Sequence, residues 1–64
     1  MSNETRNGQL LDRHKIAERL GVTVWAVDKW RRRKDFPQIV AVFGQSPVWR
    51  EAEIVAWAEK TGRL

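Results

Sequence analysis

The sequence predicts a mainly α domain of three short helices carrying one small β-hairpin. Three observations support this. Two segments with apolar stripes meet at Leu20-Gly21-Val22-Thr23, a helix stop followed at once by a helix start. Residues 39–43, IVAVF, are β-branched and aromatic; Gly44-Gln45-Ser46-Pro47 and then Val48-Trp49 follow them, in the order strand, turn, return strand. From Glu51 onward, Ile54, Trp57 and Ala58 recur at helical spacing.

Residues 1–9 contain no apolar side chain after Met1, which predicts a disordered tail in which Arg6 brushes a phosphate. The remaining residues, 10–64, form a single domain. Asp12 is an N-cap type for the first helix, and Leu11 with Ile16 stands at the two positions of a hydrophobic staple. That helix runs to about Leu20, with Ile16, Ala17 and Leu20 inward and Arg13, Lys15, Glu18 and Arg19 outward. Gly21 supplies positive φ just past its end. Thr23 caps the second helix, and Val22 with Val27 repeats the staple.

The second helix is expected over residues 24–34, because Pro37 disfavours the α region at Phe36. Val27 and Trp30 make its inner stripe, with the stems of Arg31 and Lys34 alongside. At about 100° per residue, Trp25, Asp28, Lys29 and Arg32 fall on the opposite face, with Arg33 at its edge. A two-strand hairpin is marginal alone, so the next segment must pack on the helices. The third helix is expected over residues 51–61, with Glu51 and Glu53 in the first turn, Lys60 in the last and Gly62 as its C′ residue.

Sixty-four residues bury only about 60% of their unfolded surface, so the core is thin. There is no cysteine, hence no disulfide and no thiolate zinc site. Four tryptophans at roughly 150–250 Å² each must supply much of the core area. Trp30, Trp49 and Trp57 lie on apolar stripes or strands and are read as core. Trp25 falls on the cationic face, where it can stack on a thymine methyl or pack against another copy.

The net charge of +4 favours a polyanionic partner. Five of the six residues from 29 to 34 are basic. Two short helices around an LGVT turn make a helix-turn-helix, and a helix that buries one stripe and presents cations on the other suits a DNA major groove. The hairpin is then the wing of a winged helix-turn-helix. Catalysis has no foothold: His14 is the only histidine, the carboxylates are scattered, and no P-loop, paired acids or metal-ligand spacing occurs. No enzyme activity, cofactor or metal is expected. No apolar run is long enough for a signal peptide or a membrane span, so a cytoplasmic protein without a membrane partner is expected.

Leu11-Asp12 with IAERLGVT, then Val27 and Trp30 in VxxW, then DFP, then VWREAEIVAWAE resembles the winged helix-turn-helix proteins related to the MerR DNA-binding domain. Within that group the pattern is most similar to stand-alone AlpA-type regulators and phage excisionases, the recombination directionality factors. The similarity covers about residues 10–60. It implies that the second helix enters the major groove through Thr23, Val24, Trp25, Asp28, Lys29, Arg32 and Arg33. A wing with its tip at Gly44, Gln45 and Ser46 would lie along the minor groove, and Arg13, Lys15 and Arg19 of the first helix would meet phosphates. The wing tip departs from many relatives in having no arginine or lysine, although Gln45 and Ser46 can still donate hydrogen bonds.

The function implied is that of an excisionase, which binds adjacent sites, bends attachment-site DNA and directs an integrase towards excision. A small AlpA-type transcriptional regulator is the alternative. The partners implied are double-stranded DNA, neighbouring copies and a phage integrase, in a nucleoid-associated protein of a bacterial host. Acidic Glu51, Glu53 and Glu59 on the third helix and basic Arg13, Lys15 and Arg19 on the first suggest that copies meet head to tail.

Overall fold

The first two helices each begin on a side-chain cap. The Asp12 carboxylate accepts from the Lys15 amide at 2.8 Å, and the Thr23 hydroxyl accepts from the Ala26 amide at 3.1 Å. In the computed structural model, which describes residues 9–64, these caps open α1 (Arg13–Leu20) and α2 (Val24–Trp30). Between them Gly21 adopts φ 71°, and the amides of Gly21 and Val22 return to the carbonyls of Glu18 and Ala17 in a Schellman closure. Both staples close: Leu11 and Ile16 are buried, and half-buried Val22 packs on the core that contains Val27.

The tail expected over residues 1–8, Arg6 included, lies outside the described residues. Gln9, assigned to that tail from sequence, belongs to the domain, since its carbonyl accepts the Glu51 amide at 3.0 Å. It leads into a short strand, β1 (Leu10–Leu11), which the sequence did not announce. With β2 (Ala41–Phe43) and β3 (Ser46–Arg50) it forms a three-stranded antiparallel sheet in the order β1-β3-β2. The described chain is therefore a mixed domain of three helices and a small sheet, rather than helices with a hairpin alone.

The hairpin is tighter than its turn-rich sequence suggests. Phe43 pairs with Ser46, which leaves Gly44-Gln45 as a two-residue turn and draws Ser46 and Pro47 into β3. Gly44 has φ 65° and Gln45 does not have positive φ, the pattern of a type II′ turn. A side chain at Gly44 would meet open space but would have to hold that left-handed φ. The third helix, α3 (Glu51–Lys60), starts directly from β3. Gly62 closes it at φ 77°, with the Gly62 and Arg63 amides bonded to the carbonyls of Glu59 and Ala58.

The second helix stops at Trp30, four residues short of the expected Lys34. Beyond the Arg31 amide, which still reaches Val27, the bonds tighten to Arg32–Lys29 and Arg33–Trp30. The cause is tertiary. Phe36 has to return to the core, where its ring meets Trp57 at 4.9 Å and Trp49 at 5.7 Å, both edge-on. A straight helix to Lys34 would leave no chain for that reversal. Leu11, Ile16, Ala17, Val27, Trp49, Ile54, Trp57 and Ala58 complete the core. Trp30, expected in the core, is only half-buried; it tilts against Trp57 at 5.6 Å.

Candidate nucleic-acid interface

On α2 the spacing 25, 28, 29 places three side chains on the side away from buried Val27, and Arg32 joins them from the turn that follows. Trp25, Asp28, Lys29 and Arg32 line one open depression of about 420 Å³. Trp25 is 82% exposed, more than any other large apolar residue among those described. Such exposure sets it apart from Trp49 and Trp57, which hold the core together.

A second, larger cleft of about 690 Å³ joins this face to the hairpin turn. Arg13, Asp28, Arg31 and Arg32 line it together with Gln45 and Ser46 of the hairpin. Residues assigned from sequence to three separate elements thus meet around one concavity. Its cations are not equally free. Arg13 reaches across from α1 and donates to the Asp28 carboxylate at 2.6 Å. Lys29 and Arg32 make no ion pair among the described residues. The Arg31 guanidinium lies 5.5 Å from the centre of the Trp49 ring, so its charged end reaches the hairpin.

Other expected site residues are placed differently. Val24 is half-buried and packs against the core, so it does not belong to the exposed face. Thr23 is exposed, but its oxygen is engaged in capping α2. Arg33 holds Asp35 in a two-point contact at 3.0 and 3.3 Å. That hydrogen bond keeps the Asp35 carboxyl below its ordinary range and raises the Arg33 guanidinium above its own. Gly44 is exposed at the hairpin tip. Lys15 and Arg19 border a different depression, beside Glu18 and Glu51. Arg19 donates to Glu51 at 3.2 Å, so a basic charge of α1 and an acidic charge of α3 meet inside one molecule. They therefore form no contrast between opposite ends.

Sequence reasoning missed Arg63. Its guanidinium lies 4.8 Å from the ring centres of both Trp30 and Trp57, covering the half-buried indole from the C-terminal side. Nothing within a few residues of Arg63 signals this, because the contact depends on how α2 and α3 pack. Among the described residues, no group of three metal-ligating side chains occurs and no helix is long and apolar enough to cross a membrane. No protein-family model matches the chain, and neither does any curated protein or solved structure.

Proposed function

We propose that this chain is a winged helix-turn-helix DNA-binding protein that acts architecturally, as a phage excisionase does. In this reading α1 and α2 are the helix-turn-helix, α2 enters the major groove, and the β2–β3 hairpin is the wing. One observation carries it: Trp25, Lys29 and Arg32 project from a single face that shares a cleft with the hairpin turn at Gln45 and Ser46. An exposed indole beside cations that make no ion pair among the described residues matches a surface with anionic phosphates and apolar base edges. Lys29 and Arg32 supply phosphate or base contacts, Trp25 meets a thymine methyl, and Gln45 and Ser46 donate from the wing.

The protein performs no chemistry in this reading and needs no cofactor. Its partners are double-stranded DNA, further copies on the same DNA and an integrase. A single small module has a small footprint, so useful affinity comes from several copies or from a partner bound beside it. Of the charges expected to join copies head to tail, Arg19 and Glu51 are already joined within one copy.

The test is selection from a random duplex pool, followed by footprinting of the recovered sites. Arg32→Ala should weaken the selected site by about 1–3 kcal/mol if Arg32 reads a base. Protection at adjacent sites in attachment DNA, with enhanced bending, supports the excisionase. Protection confined to a promoter makes the chain an AlpA-type regulator. No binding to any duplex removes the proposal.

A further inference from the structure

Asp28 is out of character with the face proposed for DNA. Trp25, Lys29 and Arg32 offer an indole and two cations, and Asp28 stands among them as a carboxylate. It also lines the larger cleft that reaches Gln45 and Ser46. Asp12, the other carboxylate on that cleft, is engaged by the Lys15 amide at the start of α1. Asp28 has no such local task. Its one side-chain partner among the described residues is Arg13, fifteen positions away. That bond takes Oδ2, and Oδ1 accepts no hydrogen bond from the described residues. The Asp28 side chain keeps 36% of its exposure, so the pair is a surface contact that adds little to stability.

We infer that Asp28 reads cytosine in the major groove, accepting a hydrogen bond from the exocyclic N4 amine through Oδ1. This rests on the DNA-binding reading of α2 and assigns a base to one of its residues. An ionised carboxylate only accepts, so it can meet a base edge only where that edge donates. In the major groove two groups donate, the N4 amine of cytosine and the N6 amine of adenine. Adenine carries the N7 acceptor beside its amine, and a carboxylate aimed at N6 is repelled by that lone pair. Cytosine presents its amine with no acceptor on the same base. Guanine offers two acceptors, and thymine an acceptor and a methyl group, so neither gives a carboxylate a partner. The order of preference is cytosine, then adenine, with guanine and thymine last.

The bond to Arg13 makes a carboxylate tolerable there. Alone it would be repelled by the phosphates, whereas the joined pair carries no net charge. Arg13 comes from α1, so Asp28 is held from outside its own helix by one oxygen, and the other remains for a partner. A carboxylate at this position lowers affinity for every sequence and gains selectivity for one base.

Atomic substitution in the DNA provides the test. Sites recovered from a random duplex pool by the unmodified protein are remade, one cytosine at a time, with a cytosine analogue that lacks the exocyclic amine. At one position the unmodified protein should lose about fivefold or more in affinity beyond any loss shown by Asp28→Ala on the same duplexes. That comparison cancels the weakening of the base pair itself. Asp28→Asn should gain affinity for every duplex through its lost charge, but gain least where cytosine stands at that position. Selection with this variant should move that one position away from cytosine and leave the others as they were.

Equal losses by both proteins at every cytosine overturn the inference, and the Arg13–Asp28 pair then only joins two helices. Selection with Asp28→Asn that keeps cytosine at every position overturns it as well. Binding without any enriched sequence overturns this inference alone and leaves α2 a non-specific DNA contact. No binding to any duplex overturns the DNA-binding reading and this inference with it.

Discussion

Arg13 and Asp28, fifteen positions apart, are joined at 2.6 Å across the cleft between α1 and α2. Both side chains keep more than a third of their exposure, so the pair adds little to stability. Its weight is electrostatic: it places a carboxylate on the face proposed for DNA and occupies a cation that would otherwise be free. Asp28→Asn removes one negative charge and releases Arg13. Affinity for any duplex should rise, and the salt dependence should steepen by about one unit of log–log slope. Titration at several salt concentrations measures both.

The same pairing sets the slope of the unmodified protein. With Arg13 and Arg33 engaged by carboxylates, Lys29, Arg31 and Arg32 remain around the α2 face and the adjoining cleft. Neutralising about three phosphates per copy gives a slope near −3. A slope near −1 would mean that the basic run stays solvated.

Trp25 should separate stability from binding. Because it is exposed and touches no core element, Trp25→Ala should change unfolding free energy by no more than about 0.5 kcal/mol. Duplex binding should nevertheless weaken, and replacing thymine by uracil in the selected site should weaken the unmodified protein but not the variant. Acrylamide should quench the Trp25 share of the emission, and DNA should protect it.

Trp49 should behave in the opposite way. It is buried and donates its indole N–H to the Pro37 carbonyl at 2.9 Å, tying the loop before β2 to the hairpin. Trp49→Ala should cost about 3–5 kcal/mol, most of what a domain of this size has. Trp49→Phe keeps a ring against Phe36 but loses the hydrogen bond, so it should cost less. Chemical denaturation of the two variants ranks them.

The Arg33–Asp35 contact predicts a local pH response. Asp35 titrates below its ordinary value because Arg33 donates to its ionised form. A depressed folded-state value favours folding above the unfolded value, and that contribution is lost as pH falls through the folded one. The carboxyl carbon shift of Asp35 should therefore show a low midpoint that rises to the ordinary range in Arg33→Gln. Both groups are solvent-exposed, so the global melting temperature should barely change.

The features that could be read from sequence were those fixed within four residues. Asp12, Thr23, Gly21 and Gly62 act through backbone groups one turn away, so their residue types alone announce the helix ends. The grouping of Trp25, Asp28 and Lys29 follows from helical spacing for the same reason. What escaped was decided by distant partners. Phe36 looked like part of a stop signal, yet its place between Trp49 and Trp57 is what ends α2 early. Val24 is the exception: it stands three positions before Val27, so helical spacing alone turns it inward, where it packs against the core. Arg13–Asp28 and Arg19–Glu51 depend on how helices pack, which their spacing does not encode.

The strand β1 is only two residues long, but it places Leu10 opposite Arg50 and thereby closes residues 10–50, all the elements before α3, into a ring. Closing a loop of about forty residues costs on the order of 3 kcal/mol of chain entropy before any contact repays it. The α1–α2 turn needs no such closure, since all its partners are local. The β1–β3 pairing should therefore form after the α1–α2 turn and the β2–β3 hairpin, whose partners are local. Weakening Leu11 should speed unfolding more than it slows folding. On this account β1 is a latch that should engage last and open first, so the lifetime of the native state should follow its least regular element.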